Sequence, residues 1–136
     1  MDTVGFHYIV EASGCNEDII SNAELISEIL IQAAKKGDMD IKTSYFYKFM
    51  PKGVSGFVVV AESHISIHTW PEKRYAAIDV YVCGNRSKPE KTIDYILEAL
   101  DSNYAHVSEV KRGVQDDDVY THIILTWEED LKSGIP

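Results

Sequence analysis

Ser63, His64, Ser66 and His68 crowd into one apolar run directly after Glu62, and Cys83 closes the next apolar run. Upstream lie Phe57-Val58-Val59-Val60-Ala61, and Ile65 and Ile67 are interleaved with the polar residues. Polar groups in such surroundings cost free energy unless each finds a partner, so the stretch reads as a site. Three chemistries suit these residue types. Ser63 or Cys83 with His68 could make a hydrolytic nucleophile, although that wants an elbow or a helix N-terminus beneath it, and neither is expected here. Glu62, His64 and His68 could ligate a metal from one strand. A serine can also attack its own preceding carbonyl and break the chain, which needs backbone strain and a nearby base. The residues alone leave these three open.

The elements that must position them read as follows. Phe6 to Ala12 is a strand. Asn16 caps a helix whose apolar positions Ile19, Ala23, Ile26, Leu30 and Ala33 recur at helical spacing until Lys35-Lys36-Gly37 stops it. Asp40 to Met50 is a strand and Pro51-Lys52-Gly53 a turn. Phe57 to Ala61 is apolar on both parities, which predicts a strand covered on both faces and running on toward His68 until Pro71. Tyr75 to Cys83 follows. Ser87-Lys88-Pro89-Glu90 has the pattern of a capping box, before a helix with Ile93, Ile96, Leu97 and Leu100 on one face. His106 to Val110 and Val119 to Trp127 are late strands, with Asp116-Asp117-Asp118 a solvated loop between them.

Two helices of this length cover one sheet face, so the expected fold is α+β. It is a two-layer α/β sandwich with a mainly antiparallel sheet and two helices on one face. Strand parity then assigns the faces. Ala76, Ile78, Val80 and Val82 meet the helices with Ile65 and Ile67. Asp79, Tyr81 and Cys83 share the other face with His64, Ser66 and His68, a polar face placed against a second subunit. Ser63 has the parity of Ile65. If it works with His68, the pleat must break near residue 63.

Composition bounds the rest. The chain has 136 residues, one domain, and a formal net charge of −9, which argues against a nucleic-acid partner and is compatible with a cationic small molecule. Cys15 and Cys83 follow no zinc spacing. No basic leader and no membrane-length apolar run is expected, so a cytoplasmic protein with free thiols is the expectation.

Glu62-Ser63-His64, Thr69-Trp70-Pro71-Glu72 and Asp79-Val80-Tyr81-Val82-Cys83-Gly84 together closely resemble the short prokaryotic S-adenosylmethionine decarboxylases. The likeness is densest from Phe49 to Gly84, touches Gly5, His7, Glu11 and Cys15, and thins toward Gly113. It implies a proenzyme, a single domain of residues 1–136, that cuts itself into a β chain of residues 1–62 and an α chain of residues 63–136. Ser63 would attack the Glu62 carbonyl in an N-to-O acyl shift. β-Elimination and hydrolysis would then leave ammonia and a pyruvoyl group. His68 matches the residue that moves the proton in this processing, and Ser55 one that assists it. The substrate amine would form a Schiff base with the pyruvoyl carbonyl, with neither pyridoxal phosphate nor metal, and Cys83 would return a proton after carbon dioxide leaves. Phe49 and Trp70 match residues placed against the substrate sulfonium, and Glu72 one that binds the ribose. The product would be the aminopropyl donor for spermidine.

Family members form homodimers with sites between subunits, which implies an αββα arrangement. The rival implications are the same fold and pyruvoyl acting on arginine or ornithine, or a non-catalytic regulatory paralogue. Three features depart from the family pattern. Phe6 follows Gly5, Lys73-Arg74 stands where a glycine-containing pair is usual, and the segment beyond Gly113 is longer.

Overall fold

The computed structural model describes residues 3–61, 63–84, 87–114 and 122–128. Glu62, the expected Asp116-Asp117-Asp118 loop and the start of the last expected strand lie outside the described residues. The elements are β1 (Gly5–Ser13), α1 (Glu17–Ile20), α2 (Ala23–Lys36), β2 (Ile41–Lys48), β3 (Val54–Val60), β4 (Ser63–Trp70), a 3-10 turn (Pro71–Lys73), β5 (Tyr75–Cys83), α3 (Pro89–Ala99), β6 (Tyr104–Arg112) and β7 (His122–Glu128).

The strands form one sheet in the order β2-β3-β4-β5-β1-β6-β7, and every ladder is antiparallel. The α+β sandwich is therefore as expected. Ile26, Leu30 and Ala33 of α2 and Ile93, Ile96 and Leu97 of α3 are buried in the same core as Val10, Val58, Ile65, Ile67, Ile78 and Val80 of the sheet. Thr92 of α3 donates its hydroxyl to the Ala33 carbonyl at 2.8 Å, tying the two helices together. None of the described helices is long and apolar enough to cross a membrane.

Four local expectations are corrected. The first helix is two helices. Asn16 does cap the first, accepting from Ile19 N at 3.0 Å, but Asn22 accepts from Leu25 N at 3.1 Å and starts a second. The Ser87–Glu90 capping box does not form, because Lys88 is the N-cap and no side chain caps the helix. The run from Phe57 to His68 is not one strand. It reverses, with Val60 paired to Ser63 and Ser55 to His68, so β3 and β4 form an antiparallel hairpin. Finally, β3 is covered on one face only: Val54, Val58 and Val60 are buried, whereas Phe57 is 40% exposed.

Arg74 stands where the resemblance leads to the expectation of a glycine-containing pair. It ends the 3-10 turn in the left-handed region, φ 52° and ψ 42°, where a non-glycine residue costs about 1–2 kcal/mol. Its side chain has a compensating bond, Nε donating to the Cys15 carbonyl at 2.9 Å.

Candidate active site

The predicted site residues fall into two groups on one sheet. The first is at the start of β4 and the end of β5. Ser63 is 9% exposed, and its hydroxyl accepts the Cys83 backbone N–H at 3.1 Å. Its parity is that of Ile65 and Ile67, on the helix side. From Ser63 onward β4 pairs with β3 in unbroken register, so among the described residues no break in the pleat brings Ser63 to the His68 face. Ser63 is thus the first residue of β4 and pairs with Val60, the last of β3. Cys83 is half-buried and unpaired.

The second group is at the far end of the same hairpin. Ser55 Oγ lies 2.7 Å from His68 Nδ1, and this bond leaves Nε2 as the nitrogen for proton transfer. Phe49, Gly53, Ser55, His68, Trp70 and Glu72 line a cleft of about 370 Å³. The turn expected at Pro51-Lys52-Gly53 shapes it. Phe49 N donates to Gly53 O at 2.8 Å, and Gly53 adopts φ +105°, which favours glycine. Thr69 anchors the floor: its hydroxyl donates to Ile20 O at 2.7 Å and accepts from Val54 N at 2.9 Å. Lys52 borders the cleft, but its ammonium is 2.6 Å from Glu17. Phe49 and Trp70 remain 47% and 43% exposed, so the cleft is open.

The two groups do not meet within one chain. Ser63 and His68 are five positions apart in β4, roughly 17 Å at about 3.4 Å per residue, and face opposite sides. Cys83 does share the open face with His68 as expected, but His68 pairs with Ala77, six positions from Cys83 along β5, or roughly 20 Å.

Between them the open face carries polar residues that sequence reading did not single out as a network. His7 Nε2 is 2.9 Å from Asp79 Oδ1, and Ser66 donates to Asp79 Oδ2 at 3.2 Å. Tyr75 stacks on Trp70 with ring centres 5.3 Å apart and donates its hydroxyl to Glu11. Burial first, then that bond, push the Tyr75 phenol up to about 12. Parity gave a signal for Asp79 and Tyr81, but nothing along the chain pointed to their partners on β1 and β6.

His64, beside Tyr81 on this face, is held below the usual histidine range, first by burial and then by the His7 charge, with Asp79 opposing. A histidine depressed in the folded state binds fewer protons than in the unfolded chain. Its stabilising contribution is therefore present above about pH 6.5 and is lost as pH falls through that value. The melting temperature of His64→Gln is expected to drop less between pH 7 and pH 5 than that of the wild type. An equal drop would remove His64 as a cause.

Among the described residues, no group of three His, Cys, Asp or Glu side chains is placed to hold a metal ion. The arrangement instead offers a serine hydroxyl and a thiol at one end. At the other it offers a hydrogen-bonded histidine and an aromatic cleft with a carboxylate.

Comparison with known proteins converges on one family. The sequence pattern of the S-adenosylmethionine decarboxylase family matches residues 6–113. The S-adenosylmethionine decarboxylase proenzyme of Thermococcus gammatolerans is 62% identical over 98% of this chain and 94% of its own. That of Pyrococcus horikoshii is 60% identical over the whole of both chains. The crystal structure of the adenosylmethionine decarboxylase from Aquifex aeolicus superposes with a TM-score of 0.79 at 36% identity, covering 88% of this chain and 98% of that one.

Proposed function

Because the chain belongs to the S-adenosylmethionine decarboxylase family, we propose that it is a proenzyme that cuts itself between Glu62 and Ser63 and then decarboxylates S-adenosylmethionine. The prosthetic group is a pyruvoyl made from Ser63, and the product is the aminopropyl donor for spermidine, made in the cytoplasm. The residues present fit that group. Ser63 is the first residue of β4, and an oxygen at its position already has a donor in the Cys83 amide at 3.1 Å. When formed, the group supplies a carbonyl electrophile that accepts the electron pair released with carbon dioxide.

The chain's own residues do the rest. Ser63 Oγ is the internal nucleophile for cleavage. His68 Nε2 moves the proton in that step, and Ser55, 2.7 Å from Nδ1, holds the ring in one tautomer. Cys83 holds the proton that is returned to the substrate carbon. Phe49 and Trp70 present aromatic faces to the substrate sulfonium, a contact worth about 0.5–2 kcal/mol. Glu72 accepts from the ribose hydroxyls.

A site of this kind needs both groups, and one chain separates them. The observation that carries the proposal is therefore the open sheet face. Tyr45, Tyr47 and Phe57 are 59%, 51% and 40% exposed there, continuous with Trp70. Monomers rarely leave so much apolar area bare. A second copy laid face to face covers it as an αββα homodimer. Twofold pairing sets residue i against residue j in both directions. In the proposed dimer, the end of the sheet that carries Ser63 and Cys83 in one chain comes against Ser55, His68 and the cleft of the other, twice.

The direct test is release of labelled carbon dioxide from carboxyl-labelled S-adenosylmethionine, arginine and ornithine by cleaved protein. S-adenosylmethionine is expected to be turned over at least about 10³-fold faster than either amino acid, since neither fills the aromatic cleft nor engages Glu72. Preference for arginine or ornithine would overturn the substrate, and no release from any would overturn the activity.

A further inference from the structure

Tyr81 is unused by the chemistry described so far, yet three elements converge on it. Cys83 stands two residues on along the same face of β5. Gly5 is the β1 residue paired with Cys83. A side chain there would begin 2.9 Å from the Tyr81 hydroxyl and 2.8 Å from Val82 O, so the bare glycine is what lets the phenol lie over the β1 position paired with Cys83. Gly5 also pairs with Arg112 of β6, whose guanidinium carbon stands 4.8 Å from the Tyr81 ring centre. The rings of His7 and His64, 6.2 Å and 5.7 Å away, hold the other sides of the phenol.

We propose that Tyr81, clamped by Arg112 and admitted by Gly5, is the positioning residue for the Cys83 proton donor. This rests on the decarboxylase reading above. When Cys83 gives its proton, the S–H bond breaks, a C–H bond forms at the carbon that lost carbon dioxide, and a thiolate remains. Tyr81 donates its O–H to that sulfur and keeps its proton. The fixed guanidinium charge over the ring adds a favourable field, and the thiolate is reprotonated from water after product leaves. A phenol that stays protonated suits this role. The Tyr81 hydroxyl is indeed raised above its ordinary value, chiefly by the neighbouring Cys83, then by burial, with Arg112 opposing. The hydroxyl also orients the thiol, so the proton is delivered to one carbon only.

The test uses Tyr81→Phe, which keeps the ring and loses the donor. In an uncleavable Ser63→Ala background, iodoacetamide alkylation of Cys83 at pH 8 is followed by peptide mass, with buried Cys15 as internal reference. Alkylation tracks the thiolate fraction and is expected to slow about threefold in Tyr81→Phe. In the cleavable chain, Tyr81→Phe is expected to cut itself normally, keep KM within about twofold, lose about tenfold in kcat, and complete fewer turnovers before it inactivates. Arg112→Gln, which leaves the phenol in place, should slow alkylation by about twofold, and it carries the test if Tyr81→Phe fails to fold. Alkylation at or above the wild-type rate in a folded Tyr81→Phe overturns the assignment, whatever its kcat. Failure of the decarboxylase reading is seen separately, as a wild-type chain that never cuts at Ser63.

Discussion

Ser63→Ala is expected to leave the chain in one piece. On a denaturing gel and by intact mass, the wild type should give a 62-residue and a 74-residue fragment (136 − 62 = 74), the second blocked to N-terminal sequencing by its pyruvoyl. The alanine variant should remain at full length indefinitely. An amide bond does not hydrolyse measurably in water over days. The wild type escapes that limit only because Ser63 Oγ is covalently tethered next to the Glu62 carbonyl, where effective molarities reach about 10⁵–10⁸ M. Alanine removes the attacking atom and changes little else, since Ser63 starts β4 and, among the described residues, its hydroxyl accepts one bond, from Cys83 N. The variant should therefore fold. A wild-type chain that stays whole, or a Ser63→Ala chain that still divides at residue 62, would end the pyruvoyl reading.

Mixing two dead chains should restore one live site. His68→Ala alone is expected not to cleave, since the proton transfer is lost, and Ser63→Ala alone cannot cleave. In the proposed dimer, a pair of one of each sets the Ser63 end of the His68→Ala chain against the intact His68 of its partner. Co-expressed in equal amounts and distinguished by tags, about half of the His68→Ala chains should be cut and none of the Ser63→Ala chains. The reasoning is geometric. Ser63 and His68 are five positions apart on one strand and face opposite sides, roughly 17 Å, which is beyond any hydrogen bond. If cleavage needs both, they come from different chains. No cleavage in the mixture, beside normal dimerisation, would place the whole processing site within one chain.

Much of the candidate site was legible because strand parity is local. Alternation along β5 separated Ala76, Ile78, Val80 and Val82 from Asp79, Tyr81 and Cys83, and the burial of the first set follows it residue by residue. The double-parity apolar run of β3 was also informative in a way the single chain does not satisfy. It predicted cover on both faces, and the chain supplies helices for one, leaving Phe57 exposed on the other. The helix break at Asn22 was less legible. The apolar spacing continues through it, and the competing side-chain bond to Leu25 N is decided within one turn.

By itself the sequence determined which residue types are candidates for the chemistry, which sheet face each occupies, and that the fold is a helix-covered antiparallel sheet. Those properties depend on periodicity and composition, which are written along the chain. Only the tertiary structure decided that β3 turns back into β4 with Val60 against Ser63, that Ser63 accepts from the Cys83 amide, and that Ser55 meets His68. It alone brought Gly5 and Arg112 to Tyr81. Contacts across strands depend on register and on where the chain turns. A period of two reports the face a side chain takes, not the neighbour it finds there.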